Sequence, residues 1–474
     1  MLKSFISSLA ILLCCYTSDA QTLAGNWIGQ LDIGFEIAVM LQVTQQPDST
    51  YTATFSIPDQ RLKYMQCAKP QMRNDSILVN MPMLQGRFIG KLSKNTWNGF
   101  FIQREQIMPL VLQRSAQPLA FTKPQTPTPP YTYASDSIIL ENNVQNITLA
   151  GTLTHPTTQQ RYPTVILITG SGPQDRDETI GNHKPFAVWA DYLTKKGYQV
   201  LRIDDRGVGK SKGNFVKSTT LDFATDIHAA VDYVKTLNTT DTNNIILMGH
   251  SEGGLIAPMA AAERADIKGI ILLAGTGVTG YEVLRSQIKA LVMANRKASE
   301  KNATAYQQLW ATGMQIALQQ KDTATGMLAA RNAVATWYQQ HADSSLAQEL
   351  GYTSLAVATT DMLNNMKSFY SPWMQTFLQL NPADYVSKLR CHVRALFAAR
   401  DIQVIPNINE PAISKAVATS QAASYATKTL PQLNHLFQQC KQCNGNEYIA
   451  LSETINPTAL ATVGLWLQEI CTLR

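Results

Sequence analysis

The chain has little charge, few cysteines and no long apolar run beyond its first twenty residues. Each shortage excludes something. Charged residues make up 16% of the 474, with Gln, Thr, Asn and Ala in their place, so the surface is polar more than ionic. The formal charge is +6, but no Lys/Arg cluster interleaves with aromatics, which argues against a nucleic-acid partner. No segment after residue 20 is long and apolar enough to span a bilayer, so no transmembrane segment is expected. Cys440-Lys441-Gln442-Cys443 has C-x-x-C spacing without a second such pair or a His pair, which argues against zinc. Nor does it open a helix after a βα turn, which argues against a redox motif. A local disulfide is the expected state of that pair.

The first twenty residues have the pattern of a signal peptide. Lys3 gives the positive end, Phe5 to Tyr16 the apolar core and Ser18-Asp19-Ala20 a small-x-Ala cleavage site. Leu13 stands where a lipoprotein site before Cys14 or Cys15 wants a small residue. The expected product is an exported chain, secreted or periplasmic, beginning at about Gln21. It keeps Cys67, Cys391, Cys440, Cys443 and Cys471, an odd number that leaves at least one unpaired within the chain.

What remains is long enough for two or three domains. Residues 21–115 read as short strands at hairpin spacing, the pattern of a small all-β barrel or sandwich. Residues 116–130 carry Pro118, Pro124, Pro127, Pro129 and Pro130 and read as an extended, semi-rigid linker. From residue 131 to 474 strands and helices alternate, which predicts an α/β domain with a mainly parallel sheet covered on both faces. The alternation stops over 281–380, a helical stretch that predicts a lid over the carboxyl edge of the sheet. Its Trp310, Trp337, Tyr338 and Phe369 are expected to pack between lid helices. Trp373, just past the Ser371-Pro372 break, is the candidate to face the active site.

The centre of the pattern is Gly249-His250-Ser251-Glu252-Gly253, a G-x-S-x-G between an apolar strand and an Ala-rich helix. A strained turn of this kind needs small residues two before and two after the serine. Pro258 is expected to weaken or bend the helix. A serine nucleophile needs a histidine base and an acid that orients it, all at the carboxyl ends of strands. Of the histidines after Ser251, His341 falls in the helical insertion and His392 at the wrong strand end, which leaves His435. Asp401 follows a late strand; its rival Glu410 is expected to start a helix. The oxyanion needs two N–H donors. Glu252 supplies one, and Ser171, with Gly172 close behind, supplies the other from Thr169-Gly170-Ser171-Gly172-Pro173. The polar run Gln174 to Glu178 is assigned to loop hydrogen bonding. Asp204 to Ser211 fails the phosphate-loop pattern because Asp204 replaces its first glycine; Arg206 is expected to bind nearby carboxylates.

With these residues in place, the sequence resembles an α/β-hydrolase. More narrowly, it resembles the exported bacterial serine esterases that carry a GSGPQDRD-type oxyanion loop (Gly170 to Asp177), a DxRGxGxS loop (Asp204 to Ser211) and a GHSEGG elbow (Gly249 to Gly254). Asp401 in Ala399-Arg400-Asp401 and His435 in Leu433-Asn434-His435 match the same pattern. Such domains are labelled serine aminopeptidase-like, and many follow an N-terminal β-domain. The resemblance implies a serine hydrolase with this triad but does not specify its substrate. The reading adopted is a cofactor-free carboxylesterase acting on a small-molecule or glycan-linked ester, with a short acyl group expected from a small apolar pocket walled by the lid. A small-peptide or amide hydrolase is the alternative, with Glu178 and lid acids as candidates to bind a substrate amine. An inactive cell-surface or carbohydrate-binding protein is a second alternative, and an intact triad argues against it.

Overall fold

A computed structural model describes residues 23–33, 36–60, 62–104, 106–158, 160–341 and 345–472. The expected signal peptide, with Cys14 and Cys15, lies outside the described residues. The chain divides into two compact units, with the boundary between Ala120 and Phe121.

The first unit is one antiparallel sheet of nine strands: β1 (Gly25–Asp32), β2 (Glu36–Gln45), β3 (Tyr51–Ile57), β4 (Leu62–Gln66), β5 (Gln71–Arg73), β6 (Ser76–Met81), β7 (Gly86–Ser93), β8 (Thr96–Gln103) and β9 (Gln106–Ser115). The order is β4-β3-β2-β1-β9-β8-β7-β6-β5. A sandwich would need two sheets, so that half of the expectation is corrected. The sheet curls until its ends meet: Cys67 N–H donates to Ala53 O on β3, and Ala68 N–H to Asn80 O on β6. Curling turns one face of every strand inward, around Trp27, Phe55, Phe88, Trp97 and Phe101. Trp27 and Trp97 meet edge to face at 5.6 Å, and Phe55 stacks on Phe101 at 5.8 Å.

The second unit holds an eight-stranded sheet: β10 (Ala134–Asn142), β11 (Ile147–His155), β12 (Tyr162–Ile168), β13 (Gln199–Ile203), β14 (Thr240–His250), β15 (Gly269–Leu273), β16 (His392–Ala398) and β17 (Ser424–Leu430). Its order is β10-β11-β13-β12-β14-β15-β16-β17, parallel from β13 onward. The central strands are apolar on both faces. Ile245 and Leu247 of β14 enter one core and Ile246 and Met248 the other, and β12 and β15 alternate the same way. Helices α1 (Pro185–Lys195), α2 (Thr220–Lys235) and α3 (Gly253–Ala262) follow β12, β13 and β14. Pro258 does not end α3. Nine of its ten residues are buried, so packing holds the helix where propensity would not.

Between β15 and β16 lie α4 (Gly280–Arg296), α5 (Glu300–Gln319), α6 (Thr323–His341), α7 (Ser345–Glu349), α8 (Leu355–Met366), α9 (Pro372–Phe377) and α10 (Ala383–Val386). They enclose their own core, with Trp337, Met362, Met366 and Phe369 inside and Trp310 and Tyr338 packed against it. Helices α11 (Pro406–Ala418), α12 (Gly445–Ala450) and α13 (Pro457–Thr472) complete the unit. Glu410 lies inside α11 and does not start it; its carboxylate accepts from Thr427 and Thr429 of β17. The proline-rich stretch is not a free spacer after Phe121. Lys123 donates to Ile449 O at 2.7 Å, and Gln125 binds Thr454 N, Ile455 N and Ile455 O.

Candidate active site

Ser251 stands on the turn from β14 to α3 with φ at +54°, a left-handed conformation that strains a residue with a side chain. Its neighbours explain how the turn closes. A Cβ on Gly249 would lie 1.9 Å from Gly253 O, and one on Gly253 would lie 2.2 Å from Ile168 O. Both positions therefore exclude any other residue. Ser251 N–H donates to Leu273 O at 2.9 Å, which ties the turn to β15.

Asp401 follows β16 and His435 follows β17, both at carboxyl ends and both buried. Asp401 Oδ1 accepts the N–H groups of Gln403 at 2.7 Å and Val404 at 3.0 Å. That fixes the carboxylate so that Oδ2 meets His435 Nδ1 at 2.7 Å. With Nδ1 donating to Asp401, Nε2 is left as the acceptor of the ring. Asn434 shapes the His435 loop by accepting from Leu436 N and Gln438 N, both at 3.0 Å. A Cys440–Cys443 disulfide follows this loop, while Cys67, Cys391 and Cys471 are free thiols.

Ser251 and His435 line one cavity of about 370 Å³, together with Ser171, Glu252, Thr276, Val283, Leu284, Gln287, Trp373, Phe377, Gln403 and Tyr448. The structure thus gathers all five sequence-predicted residues: Asp401 stands behind His435, and Ser171 and Glu252 stand beside Ser251. Gly170 N–H is taken by Glu178 Oε1 at 2.7 Å. Among the described residues, no acceptor within the chain takes the N–H of Ser171 or of Glu252. Gly172, the second choice, does not line this cavity.

Several contacts near the site were not assigned from sequence. Trp373 donates its indole N–H to Glu252 Oε1 at 2.8 Å and stacks on Phe377 at 5.1 Å. Thr220 donates to the same oxygen at 2.6 Å. Burial shifts the Glu252 carboxyl above its ordinary value, against the hydrogen bonds from Thr220 and Trp373 that lower it. Glu178, assigned to loop bonding, is buried, with Oε1 2.9 Å from His250 Nδ1. Asp205 accepts from Thr169 and from Gln174 N–H, and burial pushes it up to about 8. Arg206 binds Asp226 through two nitrogens at 2.8 Å. The Arg206 pairing is the one expected from sequence; the others have no periodic signal.

A mainly parallel sheet with one exchange of strand order, helices on both faces and a serine on a glycine-bounded turn make up the α/β-hydrolase fold. Residues 181–345 match the family described as serine aminopeptidase, S33. Esterase EstD of Thermotoga maritima is 36% identical over 145 residues, which cover 30% of this chain and 34% of that protein. The chain spans about a third of the length of the curated relatives it matches. Among solved structures, ferulic-acid-bound Est1E from Butyrivibrio proteoclasticus is 20% identical at a TM-score of 0.40, covering 71% of this chain and 100% of that one. Pyrococcus furiosus esterase Pf2001 is 12% identical at 0.42, covering 73% and 97%.

Proposed function

We propose that the chain is an exported serine carboxylesterase for uncharged esters with short acyl groups. The observation that carries this reading is the joint position of Ser251, on a strained elbow, and His435, fixed by Asp401, in one cavity. Ser251 Oγ attacks the acyl carbon as His435 Nε2 takes its proton. The oxyanion forms between the Ser171 and Glu252 N–H groups. The imidazolium then protonates the departing alkoxide, and water hydrolyses the acyl-serine with His435 again as base. These residues need no cofactor.

The lining supports a neutral substrate. No Lys or Arg is among the lining residues, and its two carboxylates, Glu178 and Glu252, are both engaged by the protein. Trp373 and Phe377 form an aromatic wall, which favours short acyl groups. Thr276 Oγ1 is buried without a partner among the described residues, and with Gln287, Gln403 and Tyr448 it gives the cavity a hydrogen-bonding side. A small-molecule ester, or one carried on a glycan, fits that mixture. The disulfide supports export, since such bridges persist in oxidising compartments. No described helix is long and apolar enough to cross a membrane. The two compact units support a division into an N-terminal β-domain (21–115), a linker (116–130) and a hydrolase domain (131–474).

The matched family's description favours a second reading, hydrolysis of small peptides or amides. Turnover of p-nitrophenyl esters of graded chain length beside aminoacyl p-nitroanilides separates the two. The ester reading expects rapid acetate and butyrate turnover; anilide turnover that exceeds every ester would overturn it.

A further inference from the structure

His250 and Glu178 form a buried pair that the hydrolytic cycle does not consume. His250 is the residue before Ser251, and its ring is buried. Nδ1 lies 2.9 Å from Glu178 Oε1, and Nε2 lies 3.1 Å from the backbone oxygen of His435. A neutral imidazole offers one N–H and one lone pair. The His435 carbonyl only accepts, so Nε2 must carry a proton. The other neighbour is a carboxylate, and the same Oε1 already accepts Gly170 N–H at 2.7 Å. An ionised Glu178 receiving two N–H donors satisfies every group, with both ring nitrogens protonated.

We propose that His250 is held by Glu178 as an imidazolium and acts as a positioning residue, joining the His435 loop and the Gly170 loop to the elbow that carries Ser251. The inference rests on the reading of Ser251, His435 and Asp401 as a triad. Through Nε2 the ring holds the backbone of the general base. Through Glu178 it holds Gly170, which leaves the next N–H, that of Ser171, for the oxyanion. Gly170 is pressed so closely that a Cβ there would lie 3.1 Å from Ser251 Cβ and 3.2 Å from Glu178 Oε1. Three loops therefore share one charged hinge point.

The surroundings agree. The charged or titratable groups that face the ring are Glu178 from the loop before α1, Asp401 from the loop after β16 and His435 itself, whose ring lies 4.7 Å away. The small cavity that His250 and Glu178 both line is otherwise bounded by apolar or aromatic side chains, Phe186, Trp189, Leu273 and Phe437 among them. Burial alone would favour the neutral ring. Glu178, the His435 carbonyl and Asp401 outweigh it and hold the ionisation above the ordinary histidine value.

The test is nitrogen NMR of the full-length protein with labelled histidine rings, with His250→Gln used to assign the signal. At pH 7 both ring nitrogens of His250 are expected to carry protons. Glu178→Gln keeps the size and an acceptor oxygen but removes the charge. It is expected to convert His250 to the singly protonated form and to lower kcat by about 10- to 100-fold, with KM changed by less than about threefold and the melting temperature nearly constant. Wild-type kcat should fall at alkaline pH as His250 loses its proton, and that limb should be absent in His250→Gln. A singly protonated His250 at pH 7, or wild-type kcat in Glu178→Gln, would overturn the proposal. Wild-type turnover in Ser251→Ala would instead bring down the triad reading, and the ring spectrum tells the two failures apart because it needs no turnover.

Discussion

The two units bury different things. Among the described residues up to Ala120, the one buried polar side chain is Ser56. The unit from Phe121 onward buries Glu178, His183, Arg202, Asp204, Arg206, Asp226, His250, Glu252, Asp401 and His435 among others. An apolar interior is held by area and shape and tolerates no charge. A buried polar network is costly unless every member is paired, and it gives fixed orientations in return. The first interior suits a scaffold, while the second suits chemistry. The contrast also makes the second unit sensitive to pH in ways the first is not, since all seven histidines lie after residue 120.

The largest effect expected is on turnover. Ser251→Ala should lower ester hydrolysis by about 10⁴-fold or more while leaving the melting temperature near wild type, because the turn's neighbours are unchanged. Full activity in the folded variant would remove the nucleophile from the account. Next comes the first unit's core. Trp27 is fully buried against Trp97, so Trp27→Ala should cost about 3–5 kcal/mol. Calorimetry should show one transition lowered and esterase activity retained at temperatures where the second unit is intact. Loss of activity in step with that transition would erase the contrast between the units.

How much of this was legible in the sequence follows the same division. The sheet of the second unit was readable because its strands are continuous apolar runs between helices; β15, for one, is buried along its whole length. The elbow was readable because steric exclusion at Gly249 and Gly253 permits one residue type. In the first unit β4 and β5 leave no clear trace in the sequence. They are short edge strands with mostly exposed side chains, so no alternation marks them. The polar contacts around the triad were not readable either. Glu178 to His250 spans 72 residues and Trp373 to Glu252 spans 121, and no local pattern couples positions so far apart.

A smaller effect concerns acid. His183 is buried, hydrogen-bonded to Thr454 at 2.7 Å, and burial lowers it to about 4. The unfolded chain binds this proton from about pH 6.5, the folded chain only near 4. The contribution is therefore intact above 6.5 and is lost as pH falls toward 4, to a limit of about 3 kcal/mol. The second unit's melting temperature should fall over that range, and His183→Gln should flatten the fall. An unchanged slope in the variant would assign the acid sensitivity to other groups. The smallest effect is on specificity: Trp373→Ala should shift preference toward longer acyl chains by about tenfold, read from kcat/KM along a p-nitrophenyl ester series. An unchanged profile would mean that other residues wall the cavity.

The central claim is that Ser251 becomes acylated and that His435 drives both halves of the cycle. It is tested most directly by quenching the protein with acid during turnover of p-nitrophenyl acetate and weighing its peptides. The account predicts an acetyl group on the peptide carrying Ser251, absent in Ser251→Ala and greatly reduced in His435→Ala. Acetyl on a different residue, or steady turnover with Ser251 never modified, would contradict it.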